Sequence, residues 1–190
     1  MSPILGILAS SNFQRVTSSY ESIATTTVGS GGAANVTFSS IPSTYTHLQI
    51  RYIGRTTRAS ILDWQDINLN GSSAANYANH RLFGDGATVT SDGYTSQTTI
   101  STSGDLSGAT AGSSIFGSGF IDILDYTSTS KNKTIRLLGG FDNNGTGRIN
   151  FVSGLWFATS AAITSIKLAP GSGSNYVQYS QFALYGIKGA

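Results

Sequence analysis

The chain contains no cysteine among its 190 residues. It can therefore form no disulfide, present no thiolate nucleophile and build no cysteine-based zinc site. Glutamate occurs once, at Glu21, and lysine occurs four times. Because Glu and Lys are among the residues that usually form exposed helical faces, a chain poor in both has little from which to build helices. These absences predict a structure that is almost entirely β.

Charge is also scarce, and the two signs are nearly balanced. Eleven basic residues oppose nine acidic ones, which gives a net charge of +2. This charge is too small to indicate nucleic acid or an anionic membrane as a partner. Every apolar run is shorter than the roughly 20 residues that a transmembrane helix requires. We therefore expect no nucleic-acid partner and no membrane.

Small residues dominate what is present, because 29 Ser, 22 Thr and 23 Gly together make up 74 of the 190 residues. Short alternating apolar runs recur between clusters of Gly, Ser, Asn and Asp, which is the spacing typical of a sandwich or barrel. The predicted strands span residues 20–28, 34–38, 47–53, 66–70, 77–83, 94–101, 116–126, 133–140, 148–157, 163–168 and 176–187. We expect an all-β fold, a jelly-roll-like antiparallel β-sandwich that forms a single domain over residues 19–190.

The strand at 47–53 has the clearest alternation. Leu48, Ile50 and Tyr52 share one face, and they alternate with the polar residues His47, Gln49 and Arg51. One apolar and one wet face predict a strand that pairs near the middle of a sheet.

Two later features concern strand pairing and strand shape. The runs at 133–140 and 148–157 flank a turn sequence at 142–145 and predict a hairpin whose second strand has an apolar odd-numbered face. Near the C-terminal end, apolar residues change parity between Tyr179 and Phe182. This change predicts a bulge near Ser180 or Gln181.

An apolar stretch at residues 1–18 precedes the first strand. It lacks the positive region of a signal peptide, its apolar run is short, and Pro3 comes early. We interpret it as an extended arm that packs on a neighbouring subunit or on its own sheet, with a targeting segment as the alternative. The arm residues expected to make contact are Ile4, Leu5, Ile7, Leu8 and Phe13.

Residues 84–118 have a different character. They are rich in Gly, Ser, Thr and Ala, and the run at 101–114 has almost nothing to bury. A long polar insertion in a compact domain is either disordered or functional. We expect an ordered loop held by contact with another chain.

Few residues suggest catalysis. Asp63 with Asp66, and Asp122 with Asp125, are each three residues apart, which on a strand places the two carboxylates on opposite faces. Acid–base catalysis by a carboxylate pair requires the two groups to converge, so this spacing argues against it.

Histidine and the hydroxyl residues add no catalytic pattern. His47 and His80 are the two histidines, and no Gly-x-Ser-x-Gly sequence stands between a strand and a helix. The sequence at 142–145 resembles the start of a calcium loop but lacks the later acidic ligands, so a tight turn is the better interpretation. We expect no enzyme, no metal and no cofactor.

Aromatic residues offer the remaining candidates for contact. Trp64 in a predicted loop and Tyr94 at a strand end are the expected surface contacts. An apolar ring with a polar tip suits a subunit interface or sugar stacking as well as an ordinary sandwich rim. Trp156 lies within a strongly patterned strand, and we interpret it as structural.

Four segments resemble a widespread group of tailed-bacteriophage virion proteins, over residues 20–55 and 176–189. They are the segments at 20–24 (YESIA), 38–42 (FSSIP), 45–51 (YTHLQIR) and 182–189 (FALYGIKG). Members of this group are β-sandwich modules that serve as capsid decoration or cement proteins and as parts of tail appendages. The resemblance implies a virion location and transfers no functional residue.

We therefore expect a non-enzymatic structural protein on the outside of a phage particle. It would be a homotrimeric decoration or cement subunit whose partners are the major capsid protein or tail proteins. The alternative is a receptor-binding or carbohydrate-binding module of a tail fibre or spike, which would bind a host-surface glycan.

Overall fold

The computed structural model describes residues 18–158, 161–171 and 173–189, and within these ranges it contains fourteen strands and no helix. The strands are β1 (Tyr20–Thr27), β2 (Val36–Phe38), β3 (His47–Gly54), β4 (Leu62–Asp63), β5 (Gln65–Leu69), β6 (Tyr77–Gly84), β7 (Val89–Gln97), β8 (Ile100–Ser101), β9 (Leu106–Ser107), β10 (Gly117–Leu124), β11 (Lys133–Asp142), β12 (Gly147–Trp156), β13 (Ile166–Pro170) and β14 (Gln181–Ile187). The predicted arm, apart from Ser18, lies outside the described residues.

Two antiparallel sheets and a short ribbon make up the architecture. The larger sheet has eight strands in the order β1-β14-β3-β10-β11-β12-β6-β7, and the smaller has four in the order β2-β13-β5-β8. A two-stranded ribbon of β4 and β9 accompanies them. Early strands pair with late ones, as β1 and β3 do with β14 and β2 does with β13. The predicted fold class, an all-β jelly-roll-like antiparallel sandwich, is confirmed.

The core lies between the two sheets, because alternate side chains of each strand point inward. Leu48 and Ile50 of β3 are fully buried there, and β3 is the third of the eight strands, as its alternation predicts. One cluster of buried hydrophobic residues joins the sheets; it includes Leu48, Ile50, Ile121, Ile123, Ile135, Val152 and Phe182 from the larger sheet and Val36, Ile67, Leu69, Ile166 and Leu168 from the smaller.

The β11–β12 hairpin is confirmed, with Asp142 paired to Gly147 across the turn. The apolar odd-numbered face of β12, however, points away from the core. Phe151 is 45% exposed, whereas Val152 is fully buried. The inner face accepts small residues because the smaller sheet fills the space: a Cβ on Gly154 would lie 2.7 Å from the Cδ1 atom of Ile100. Apolar residues therefore occupy both faces of this strand.

The bulge predicted near Ser180 or Gln181 is wrong. The strand β14 begins at Gln181, and a turn precedes it in which the Ser180 amide donates to the Val177 carbonyl and Tyr179 has a φ of 73°. This turn, rather than an irregular strand, produces the change of parity. A bulge occurs instead in β1 between Ser22 and Ala24.

The expectation that the run at 101–114 has little to bury is also wrong. Residues 102–108 are buried, and Asp105 and Leu106 have no exposed surface. They lie against the inner face of the larger sheet, where glycines leave room: a Cβ on Gly139 would lie 3.2 Å from the Cβ of Asp105. Such close packing needs small residues, so the polar composition suits burial here.

Arg55 binds the backbone of residues 109–115, which follow this segment. The Arg55 guanidinium donates hydrogen bonds of 2.7–3.1 Å to four backbone carbonyls, those of Ala109, Ala111, Gly112 and Ile115. A buried or half-buried loop needs partners for its backbone carbonyls, and this side chain supplies them. The loop expected to rest on another chain is thus held by its own domain.

We expect Ile121→Ala to lower the free energy of unfolding by about 2–5 kcal/mol, because a fully buried side chain of the larger sheet would leave a cavity. The matched control is Ile149→Ala, at a position that is 63% exposed, where the change should stay within about 0.5 kcal/mol. Urea denaturation measures both values. Equal losses in the two variants would contradict this assignment of the inner face.

Candidate functional site

Asp63 and Asp66 are one of the two carboxylate pairs considered for catalysis. In the structure, each carboxylate has its own hydrogen-bond partners. Asp63 is fully buried and accepts hydrogen bonds from the Trp64 amide at 2.9 Å and the Ser174 hydroxyl at 2.6 Å. Asp66, in β5, accepts a hydrogen bond from the Ser101 hydroxyl, and burial raises its pKa. Each carboxylate therefore stabilises local backbone and side-chain structure.

The second pair, Asp122 and Asp125, likewise has separate partners. Asp122 accepts a hydrogen bond of 2.7 Å from Gln49 Nε2. Asp125 lies 2.7 Å from the Lys131 ammonium, which lowers its pKa, and 3.6 Å from His47 Nδ1. These surface contacts bring no nucleophile to either carboxylate.

The sequence at 142–145 forms the predicted tight turn. The Gly145 amide donates to Asp142 Oδ1 at 3.2 Å, and Asn144 adopts a left-handed conformation with a φ of 56°. In the part of the chain that the structure describes, no group of three or more His, Cys, Asp or Glu side chains is placed to hold a metal ion.

A buried polar network that the sequence did not indicate centres on Asp105. Its carboxylate accepts hydrogen bonds from the Tyr52 and Thr102 hydroxyls. Burial raises its pKa to about 6, against the lowering effect of these two hydrogen bonds. A lone Asp in a Gly- and Ser-rich run gives no sequence signal for such a position.

The aromatic residues expected at the surface have cationic neighbours. Trp64 is half-buried, and the guanidinium carbon of Arg58 lies 4.5 Å from its ring centroid. Tyr94 is 43% exposed, with the guanidinium carbon of Arg81 at 4.7 Å. Contact of either ring with a partner stays a prediction.

Trp156 has the structural role that its strand predicted. It is buried, its ring stacks on that of Tyr77 with centroids 6.0 Å apart, and its Nε1 donates to Asn76 at 3.2 Å. A buried indole with a satisfied N–H stabilises the core.

The outer face of the larger sheet carries a continuous row of large apolar side chains. Directly opposed residues of neighbouring strands point to the same face, and the pairs Phe120–Leu138, Leu138–Phe151 and Phe151–Leu82 link β10, β11, β12 and β6. Exposure is 38% for Leu138 and 51% for Leu82. We call these four residues, together with the neighbouring Ile149, the apolar strip.

A groove of about 550 Å³ runs beside the apolar strip. The groove exists because the cross-strand row next to the strip consists of small residues, apart from Ile149. The small residues are Ser118, Gly140 and Gly84. A second depression, of about 400 Å³, lies on the other side, where His80 adjoins the strip. The strip thus stands between two depressions and offers its side chains to a partner.

Beyond β10, the cross-strand row of the strip contains no further large apolar side chain. In the same cross-strand row as the strip, Arg51, Ala183 and Thr25 follow on β3, β14 and β1. Arg51 lies 5.9 Å from the ring centroids of both Tyr20 and Tyr185. The apolar strip is therefore confined to the β10–β6 half of the sheet.

Comparison with protein-family models, curated proteins and solved structures finds no match to this chain. The fold and surface define an all-β antiparallel sandwich whose larger sheet has one exposed apolar strip. Within residues 18–158, 161–171 and 173–189, no helix is long and apolar enough to span a membrane. The resemblance to phage virion proteins stays a prediction.

The apolar strip was missed by sequence reasoning, although β12 carried a signal for it. Ile149 and Phe151 alternate with Val152 and Trp156, so large apolar residues occupy both faces. A strand that is apolar on both faces is expected when both are covered. Among the residues that the structure describes, only one face of β12 is covered.

We expect the stability that Asp105 contributes to be present in full below pH 4 and to be lost as the pH rises through 6. The folded protein holds this proton more tightly than the unfolded chain, whose carboxyl has the ordinary pKa of 3.8. The loss would be about 3 kcal/mol. Urea denaturation between pH 4 and 7 measures it.

Asp105→Asn is the control for this pH dependence, since the amide stays neutral throughout. The variant should lack the fall in stability that wild type shows. A parallel fall in both proteins would assign the pH dependence to another group, such as Asp66, whose pKa is also raised.

Proposed function

We propose that this protein is a non-enzymatic structural subunit of a tailed-bacteriophage particle, an external decoration or cement protein that assembles through its apolar strip. The observation that carries the proposal is the strip itself. Monomeric soluble proteins rarely expose contiguous apolar patches larger than a few hundred Å², and larger exposed patches mark interaction sites. The resemblance of residues 20–55 and 176–189 to virion proteins supplies the setting.

The energetics suit assembly by burial. Full burial of a large apolar side chain contributes about 1.5–3 kcal/mol, and Phe151 and Leu82 are about half exposed, so covering either contributes about 1 kcal/mol. The net charge of +2 adds little long-range repulsion between copies. Several such side chains in one row therefore stabilise a subunit contact without any covalent step.

Both edges of the larger sheet offer a second means of contact. The edge strands β1 (YESIATTT) and β7 (VTSDGYTSQ) contain neither Lys nor Pro, the residues that commonly block edge pairing. Pairing of an additional strand at such an edge is an established form of protein recognition. In the proposed particle, copies of this chain form trimers and contact the major capsid protein.

A second candidate function is a receptor- or carbohydrate-binding module of a tail fibre or spike. It is favoured by Tyr20 and Tyr185 on the polar half of the outer face, beside Arg51 and the hydrogen-bonded Gln49–Asp122 pair. Sugars stack on aromatic rings and bind amide and carboxylate groups. Binding to host-surface glycans that Tyr185→Ala weakens would favour this candidate over the first.

Quantitative mass spectrometry of purified phage particles tests the virion proposal directly. Copy numbers near those of the major coat protein would support a decoration subunit. A handful of copies per particle would move the protein to the tail and favour the second candidate. Its absence from particles would overturn both virion functions.

We expect Phe151→Glu to abolish self-association while the domain stays folded, because a carboxylate would be buried in the apolar contact. The association constant should fall by at least about tenfold, as measured by sedimentation velocity. Circular dichroism and thermal melting check the fold.

Thr37→Glu is the matched control, at an exposed strand position on the outer face of the smaller sheet, away from the strip. Lys167 lies directly opposite Thr37 on β13, so an added carboxylate has a cationic partner there. Association should be retained. An equal effect of the two substitutions would point to charge alone and against the apolar strip.

A further inference from the structure

We propose that residues 102–108, which we call the buried segment, separate from the inner face of the larger sheet when Asp105 loses its proton, while the strands of the two sheets stay paired. The buried segment is then a pH-dependent cover of the domain interior. This inference goes beyond the proposed assembly function and does not depend on it.

Asp105 is the one ionisable side chain of the buried segment, and it has no exposed surface. Its carboxylate accepts hydrogen bonds from two hydroxyl groups, those of Tyr52 and Thr102. None of the ion pairs among the described residues includes Asp105. An ionised carboxylate that is buried without a cationic partner is costly, so the closed segment favours the protonated form.

The groups that face Asp105 from the surrounding elements add to this preference. The buried Asp63 carboxylate in β4 disfavours a second negative charge. Tyr52 of β3 and Tyr176, which precedes β14, stay neutral at physiological pH because burial raises the pKa of each well above its ordinary value. The strands β10 and β11 contact the segment through glycines, which bring no charge.

Two arginines bind the start of the buried segment through its backbone. Arg81 of β6 donates a hydrogen bond of 2.8 Å to the Thr102 carbonyl, and Arg148 of β12 donates one of 3.3 Å to the Ser103 carbonyl. Arg81 also forms a bidentate ion pair with Asp92. These guanidinium groups therefore hold the backbone but leave a charge on Asp105 without a partner.

The strand pairing that keeps the buried segment closed is short. Its strand β9 pairs with β4 over two residues, whereas neighbouring strands of the larger sheet pair over seven or more. Leu106 is its one side chain in the hydrophobic core. Segments with few apolar contacts and little pairing open locally at a lower free energy than the whole domain.

The sheet beneath the buried segment has polar groups of its own. Asn150 stands beside Gly139 on the inner face and is fully buried, yet neither polar atom of its side chain has a hydrogen-bond partner among the described residues. Buried polar groups without partners are unfavourable and gain hydrogen bonds when water reaches them. Asn150 therefore lowers the cost of opening the segment.

The chain on either side of the buried segment stays attached. The Thr102 amide donates to the Gln65 carbonyl at 2.9 Å, and Arg55 holds the backbone carbonyls of residues 109–115. Opening is thus a displacement between two fixed points. The apolar strip lies on the opposite face of β10 and β11, so opening leaves it in place.

The direction of the pH dependence follows from the proton balance. The pKa of Asp105 is about 6 in the closed protein and has the ordinary value of 3.8 once the side chain is exposed. The contribution of the proton to the closed state is therefore complete below pH 4 and lost as the pH rises through 6. The equilibrium constant for opening rises by about 100-fold over this range.

Hydrogen–deuterium exchange of the full chain, read by mass spectrometry, tests the proposal. The protection factor of residues 103–108 should fall about tenfold between pH 5 and 7.5, after correction for the exchange rate of an unprotected amide at each pH. At pH 7.5 it should be lower than that of β3 and β11. It should also change little in low urea, because local opening exposes little surface.

Asp105→Asn should abolish the pH dependence of residues 103–108, since the amide stays neutral. Asp66→Asn is the matched control and should retain it, because Asp66 is also a partly buried carboxylate but lies outside the segment. The wild-type measurements remain decisive even if Asp105→Asn fails to fold. Protection of residues 103–108 that is independent of pH would overturn the proposal, as would protection that falls with urea in parallel with β3 and β11. A pH dependence that persists in Asp105→Asn or disappears in Asp66→Asn would also overturn it.

Discussion

The contact of residues 102–108 with the inner face of the larger sheet is the constraint on which the rest of the structure depends. The larger sheet has eight strands and the smaller only four, so the smaller sheet leaves part of that inner face without a second strand layer. The buried segment supplies the missing cover, with Asp105 bonded to Tyr52 of β3 and Arg148 of β12 donating to the Ser103 carbonyl. Glycines in β10 and β11 make the close approach possible.

This arrangement explains why large apolar side chains on the outer face of the larger sheet stay exposed in the described domain. The smaller sheet and the buried segment lie against the inner face of the larger sheet, whereas large apolar side chains of the outer face form an exposed row across β10, β11, β12 and β6. The described domain has nothing to place over them. Large exposed apolar patches mark interaction sites in other proteins, which is the basis of the proposed assembly function.

Several elements could be predicted because their signals are local. The alternation in β3 requires one buried face wherever that strand lies, and the turn at 142–145 allows few structures other than a hairpin. The sequence of an alternating strand does not by itself say which of its two faces will be buried. For β12 it depends on Ile100, a residue of the other sheet that occupies the space beside Gly154. The apolar strip, and with it the candidate site, therefore could not be located from the sequence.

Composition and periodicity by themselves determined that this chain is an antiparallel β-sandwich without cysteine chemistry. The shortage of helix-forming residues and the two-residue alternation of apolar side chains favour strands along the whole chain, whatever the tertiary contacts are. Only the tertiary structure decided which polar residues are buried and which apolar residues are exposed. Asp105 is buried because Tyr52 and Thr102 are brought to it from other parts of the fold. Phe151 is exposed because Val152, the next residue in the strand, faces the core, and adjacent side chains of a strand point to opposite faces. Both outcomes depend on neighbours distant in sequence, and a local pattern contains no information about them.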